Sequence, residues 1–420
     1  MAVIRPFPGI RPKPELASQV ASLPYDVMNT EEAREEAKDK PLSFLHIVKS
    51  EIAYPPGYDA YAPEVYEKAA EKFRALVVQD VIEQDPHPYL YIYQQEMNGH
   101  VQTGLVAASS VNDYWADVVK KHEFTRPVKE QDRMKHMKAT GIHAGPVFLT
   151  YPDVTEIDNI VSVIITEEEP DTNFTTPDGV RHTVWVLRDR QLIERLVNLF
   201  HERVPATYIA DGHHRAASSS KVGRELQEAN PDFTGEEPFN YFLSVLFPAS
   251  QLQIIDYNRV VTDLNGLTEQ EFFTKIEEKF DLQLQGTNSF KPMQMREFGM
   301  YFEGQWFQLT AKPGTYPEND PVNGLDVSIM QNNLLDPILG IKDPRTDNRV
   351  DFVGGIRGLG ELSKRVDSGE MAVAFALYPV TINQLIRIAD SGNVMPPKST
   401  WFEPKLRSGL IVHQFSAKSY

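Results

Sequence analysis

The residues of this chain best suited to chemistry stand side by side: Asp211-Gly212-His213-His214-Arg215. The apolar run Ala206–Ala210 before them reads as a short strand, and the stretch after them, through Ala216, Ala217 and Lys221 toward Glu228, reads as a helix. A strand, a tight turn and a helix start together aim free backbone N–H groups at whatever occupies the turn. A helix amino terminus carries partial positive charge, and a cation placed there costs about 0.3–1 kcal/mol. Yet His213, His214 and Arg215 all fall in that first turn. A bound anion reconciles these facts, since it accepts N–H bonds from the backbone and charge-assisted bonds from Arg215 and a histidine. Phosphate is the obvious candidate. Asp211 then serves as the N-cap, as a magnesium ligand, or as a base toward a hydroxyl nucleophile. The plainer alternative makes Asp211 a simple cap, the histidines half-buried structural residues and Arg215 half of a surface ion pair. A zinc site is disfavoured, because adjacent histidines on a helix point in different directions and no third ligand stands nearby in sequence.

Two other segments offer charge of the right sign. Lys120 to Lys138, KKHEFTRPVKEQDRMKHMK, holds seven basic residues against three acidic ones, a local reversal in an acidic chain. It offers Lys121, Arg126 and Arg133 as phosphate contacts and Glu123 as a metal ligand or general base; the alternative is a solvated helix face carrying ion pairs four residues apart. Near the carboxyl end, MPPKSTWFEPK uses prolines to stiffen a loop that presents Lys398, Ser399, Thr400 and Lys405. Its alternative is a surface turn capped by Trp401 and Phe402.

The elements that must hold these residues follow from pattern. A chain of 420 residues exceeds what one core usually serves, so two lobes are expected, 1–250 and 251–420, with the boundary near 248–262. Asn29 and Glu32 form a capping box. Strands are expected at Phe44–Val48, Tyr89–Tyr93, Gly104–Ala108, Pro146–Tyr151, Ile160–Ile165, His182–Leu187, Tyr241–Phe247 and Val373–Leu377. Helices are expected after Asn112 or Asp113, over Lys129–Ala139, Arg188–Val204 and Glu269–Phe280, and near Ile382–Asp390.

Composition narrows the function. With 42 basic and 59 acidic residues the formal charge is -17, which repels nucleic acid at long range. The absence of cysteine excludes disulfides, thiolate nucleophiles and thiolate zinc sites. The first residues lack a signal-peptide apolar stretch, and the longest apolar run, Met371–Val380, is far too short to span a membrane. A soluble cytoplasmic protein is expected, with oligomeric state open and a homo-oligomer allowed. No Gly-Lys dipeptide exists for a Walker A loop, and the glycines at 354, 355, 358 and 360 lack dinucleotide-binding spacing.

RPFPGIRP with LPYDV near the start, LSFLHI, KHEFT with KEQDR, YIADGHHR, LSVLFP with LQIIDYNR, and MPPKSTWFEPKLRSGL together resemble a widespread family catalogued as a domain of unknown function, number 1015. The DGHHR turn is also similar to the DGH-x-R motif of free-serine kinases built on the ParB/sulfiredoxin-like fold, in which the turn binds phosphate and its aspartate assists catalysis. The resemblance implies an α/β (α+β) protein: a ParB-like core in 1–250 carrying the turn, elaborated by a second α+β lobe in 251–420 that contributes the MPPKST loop. It implies Asp211 as a base or magnesium-site residue, and His213 and Arg215 on the transferred phosphate. His214 stands at the position that the DGH-x-R motif leaves unspecified. The implied reaction is phosphorylation of L-serine to O-phosphoserine, with ATP, ADP or pyrophosphate as donor and Mg2+ as cofactor. The lack of an adenine-binding signature favours pyrophosphate. The competing readings are a ParB-like nucleotide or nucleic-acid regulator and a phosphoanhydride hydrolase.

Overall fold

A computed structural model describes residues 1–416. The chain is mixed α/β and clusters into two compact units, Met1–Leu252 joined by the segment from Pro404 onward, and Gln253–Glu403. The first unit is organised by a nine-stranded sheet. Its order runs Val119–Lys120, Thr207–Asp211, Val147–Tyr151, Tyr241–Pro248, His100–Ser110, Leu90–Met97, Arg181–Leu187, Thr172–Thr175, with Ile4–Arg5 also paired to His100–Ser110. The pairs Thr207–Asp211 with Val119–Lys120, and Tyr241–Pro248 with Val147–Tyr151, are parallel; the other pairs are antiparallel. Leu90, Ile92, Leu105, Leu149, Ile209, Phe242 and Leu246 from the strands pack with Leu196, Phe200, Ala216 and Ala217 from helices Arg190–Arg203 and His213–Ala229. That buried face fixes where Asp211 emerges.

The second unit carries a six-stranded antiparallel sheet ordered Phe280–Gly286, Gln305–Ala311, Glu297–Phe302, Val373–Leu377, Tyr257–Val261, Val350–Gly354. Among the described residues no helix is long and apolar enough to cross a membrane.

Several elements fall where local pattern places them. Helix Thr30–Glu36 starts in the expected capping box of Asn29 and Glu32, and helix Arg190–Arg203 starts at the Asp189 cap. Others differ for identifiable reasons. Phe44–Val48, expected as a strand, contains the helical turn Leu45–Val48; Phe44, Leu45, Ile47 and Val48 are all buried, so alternation cannot separate the two states. Ile160–Ile165, also expected as a strand, lies inside helix Thr155–Glu167. There Ile157 and Ile164 are buried at helical spacing, and β-branched content misleads. The helix expected to reach Phe280 ends at Glu277, because Phe280 opens a strand.

The segment from Pro404 onward belongs with the first unit, not with the second lobe as expected. Backbone N–H groups of Ile10 and Val412 each bond the other's carbonyl at 2.9 Å, and His413 pairs in register with His143. A buried polar network holds it further in. Gln95 donates to the Lys405 carbonyl at 2.9 Å, and the Arg407 guanidinium meets Asp178, Thr176 at 3.2 Å and His182 Nε2 at 3.2 Å. Arginine only donates, so His182 Nε2 accepts and its Nδ1–H is left to donate to Tyr93 Oη at 2.8 Å.

Burial drives His122 and His136 down to about 4 and His182 and His413 down to about 3, and holds His143 and His213 well below the ordinary histidine value. These rings stay neutral when folded but protonate when unfolded, so the unfolded state binds more protons as pH falls below about 6.5. Stability is fully present above that pH and declines between 6.5 and 4, each such histidine contributing up to about 1.4 kcal/mol per pH unit. Asp113, Asp158 and Asp326, which burial raises, are too few to reverse the sign. The urea midpoint is therefore expected to drop steeply from pH 7 to pH 5; a flat profile would show that the rings are not buried neutral.

Candidate functional site

Asp211 is the last residue of its strand and not a helix cap. Gly212, at φ +94°, is the N-cap of helix His213–Ala229 and supplies no side-chain capping bond. The left-handed turn favours glycine, and space demands it as well: a Cβ at 212 would lie 2.9 Å from Arg215 Cζ. Arg215 folds back over that glycine. Its Nη2 donates to Asp211 Oδ2 at 2.9 Å, its Nη1 donates to the Pro146 carbonyl, and Asp26 Oδ2 stands 4.0 Å away. Lys405 Nζ approaches Asp211 Oδ1 at 3.7 Å. Burial would raise the Asp211 carboxyl, but Lys405 and then Arg215 outweigh it and hold it at about 2. Its side chain keeps 29% of its surface exposed, so an ionised, partly exposed carboxylate stands at an uncapped helix start.

The histidines of the turn do not converge with Arg215. His213 meets His122 edge to face, ring centroids 4.5 Å apart and Nε2 atoms 3.4 Å apart. Both are neutral, and the Nδ1 of each is buried without a partner among the described residues, as is Arg215 Nε. His214 turns toward the preceding loop, where its Nε2 accepts the Arg126 backbone N–H at 3.0 Å. The only full positive charge in the first turn is that of Arg215, and the chain's own Asp211 meets it.

Of the other expected site residues, Lys405 reaches Asp211, Arg126 meets His214, and Arg133 reaches the turn only through Tyr25 and Asp26. Lys121 donates to the Tyr114 carbonyl at 2.9 Å and pairs with Asp117 at 3.3 Å. Arg133 is tied to Asp132 at 2.8 Å and stacks 4.1 Å from the Tyr25 ring, so it props the residue beside Asp26. Arg126 is exposed at the start of helix Pro127–Thr140, and Glu123 is exposed in the loop directly after His122. Lys398, Ser399 and Thr400 belong to the Gln253–Glu403 unit, whereas Lys405 belongs to the unit of Asp211. Sequence reasoning passed over Asp26, Tyr25 and His122. The LPYDV and KHEFT segments contain all three, but nothing in their local spacing says that they meet the DGHHR turn.

Among the described residues no group of three or more His, Asp or Glu could by itself hold a metal ion. Magnesium needs no such cage, since one or two carboxylates and substrate phosphates commonly suffice. Asp211 already serves two cations, which leaves Asp26, with 35% of its side chain exposed, as the less committed carboxylate.

Gly212→Ala is expected to cost about 1–2 kcal/mol from the left-handed backbone alone, with a further cost from displacing Arg215. Urea unfolding measures the loss; an unchanged midpoint would show that the turn does not need glycine.

Solved structures with a similar chain path include a free serine kinase in complex with AMP, 11% identical, covering 71% of this chain and 86% of that one with a TM-score of 0.34. A free serine kinase mutant in complex with ADP is 12% identical, with 72% and 88% coverage and a TM-score of 0.34. SbnI with C-terminal truncation from Staphylococcus aureus is 9% identical, with 75% and 90% coverage and a TM-score of 0.38. No curated protein matches this chain in sequence. The family described as "Protein of unknown function (DUF1015)" matches residues 4–328, and the chain belongs to that family.

Proposed function

We propose that the Asp211 turn transfers a phosphoryl group from a phosphoanhydride donor to the hydroxyl of a small molecule, with free L-serine as the acceptor implied by the DGHHR resemblance. The observation that carries this reading is the ionised, partly exposed Asp211 carboxylate at an uncapped helix amino terminus, held in place by Arg215 and Lys405. Such a turn offers an acceptor for the nucleophile's proton beside backbone N–H donors for phosphate oxygens.

In this reading the acceptor hydroxyl donates its hydrogen bond to Asp211 while its oxygen attacks the terminal phosphorus. The new O–P bond forms as the bridging P–O bond of the donor breaks. A carboxylate at about 2 is a weak base, so Asp211 orients the hydroxyl and takes the proton only late, as a loose phosphoryl-transfer transition state allows. Lys405 balances the negative charge near the transferred group, and Arg215 keeps Asp211 from rotating away. His213 and His122 supply a neutral, water-poor wall. Magnesium, where it enters with the donor, would neutralise donor oxygens beside Asp26 and Asp211; Glu123 remains a second candidate for its shell.

A hydrolase would use the same turn on water, and a ParB-like regulator would bind phosphate without transfer. The acidic chain disfavours the nucleic-acid form of the regulator. A soluble cytoplasmic setting belongs to this reading.

Incubating the protein with magnesium, L-serine and each of ATP, ADP and pyrophosphate is expected to yield O-phosphoserine with at least one donor. Donor consumption that ignores serine would instead identify a hydrolase. Asp211→Asn is expected to lower kcat by about 100-fold or more, with the circular dichroism spectrum retained; near-native turnover in this variant would remove Asp211 from the chemistry.

A further inference from the structure

Arg133, Arg215 and Arg407 in the first unit each face inward and each meet a carboxylate. Arg259, in the Gln253–Glu403 unit, meets none among the described residues. It lies on strand Tyr257–Val261 with 3% of its surface exposed, and among the described residues its guanidinium donates only to the carbonyl oxygens of Tyr257 and, at 3.0 Å, Lys398. Its Cζ lies 5.2 Å from the Phe352 ring centroid. Burial pulls it down to about 10, opposed by the nearby Tyr257. A buried charge with no counter-charge is costly, and folds usually pair it or replace it with an apolar side chain.

The residue that Arg259 holds is itself a cation. Lys398 is exposed, adopts φ +58° and places Nζ 5.6 Å from the Tyr257 ring centroid, with no carboxylate partner among the described residues. A left-handed backbone at a non-glycine residue is strained, and the Arg259 bond to the Lys398 carbonyl keeps it there. The Ser399 hydroxyl ties the loop from within by donating to the Pro396 carbonyl at 2.6 Å. Trp401 closes the group, 5.0 Å edge-on to Tyr257 and packed so tightly over Gly354 that a Cβ there would lie 2.9 Å from its ring. The chain therefore spends strain and desolvation to bring two unbalanced positive charges onto one aromatic cluster.

We propose that Arg259 and Lys398 form an anion site within the Gln253–Glu403 unit, taking a phosphate or diphosphate group. Lys398 makes the contact from the surface, and Arg259 supplies charge from beneath, where the low dielectric strengthens its field. The site does not depend on the Asp211 reading: it would bind its anion even if no phosphoryl transfer occurred.

Titrating inorganic pyrophosphate into the 420-residue chain while following tryptophan emission reads the site through Trp401, and Trp401→Phe identifies that share of the signal. A saturable, Trp401-dependent change is expected in the native chain and in Asp211→Asn alike, at least ten-fold weaker in Lys398→Ala and absent in Arg259→Met. The proposal is overturned by the lack of any Trp401-dependent change, by one that Lys398→Ala leaves unaltered, or by one that Asp211→Asn abolishes. Should Arg259→Met fail to fold, Lys398→Ala decides alone, because it trims an exposed side chain. A failure to form O-phosphoserine leaves this titration untouched, so the two proposals fail separately.

Discussion

The ion pair between Asp211 and Arg215, closed across Gly212, is the contact on which the rest of the site depends. An arginine in the first turn of a helix sits against the positive end of the helix dipole. Arg215 stays there because the strand ends on a carboxylate four residues earlier and because glycine leaves room for the guanidinium to fold back over the turn. The strand itself is pinned on both edges, by Val119–Lys120 and by Val147–Tyr151, so the carboxylate has a fixed place in the sheet.

The second cation on Asp211 reaches it from the far end of the chain. Lys405 stands where it does because Gln95 holds its carbonyl and because Arg407, two residues on, is locked among Asp178, Thr176 and His182. Fixing the tautomer of His182 through Arg407 makes this a directional network with a defined donor and acceptor at each link. The same economy governs the histidine pair, His122 with His213, which burial keeps neutral. It lines the turn without adding charge to it.

Charge is thus distributed unevenly inside an acidic protein. In the first unit the inward arginines are balanced by nearby aspartates: Arg11 with Asp85 and Arg407 with Asp178 join segments distant in sequence, Arg215 with Asp211 fixes a turn, and Arg133 with Asp132 pairs neighbours on one helix. In the second unit Arg259 and Lys398 break that rule on one aromatic cluster. The prolines of MPPKST, which suggested a stiff loop, stand in a segment whose conformation is set by a buried guanidinium that the sequence pattern did not single out.

What the sequence determined by itself was whatever is written within a few consecutive residues. The strand, glycine turn and helix around Asp211, the capping box at Asn29 and Glu32, and the one-faced helix Arg190–Arg203 all follow from short-range periodicity and turn chemistry. Largely buried runs such as Phe44–Val48, where only His46 is partly exposed, escaped, because burial on nearly every side erases the period that separates strand from helix. Only the tertiary structure decided which charges meet. It placed Asp26 and Lys405 at the turn, set Arg133 over the Tyr25 ring, turned His214 toward the loop at Arg126, and returned the segment from Pro404 onward to the first unit. Those outcomes depend on sheet register and on long-range closure, and a charged residue carries the same local signature whichever partner it finally finds.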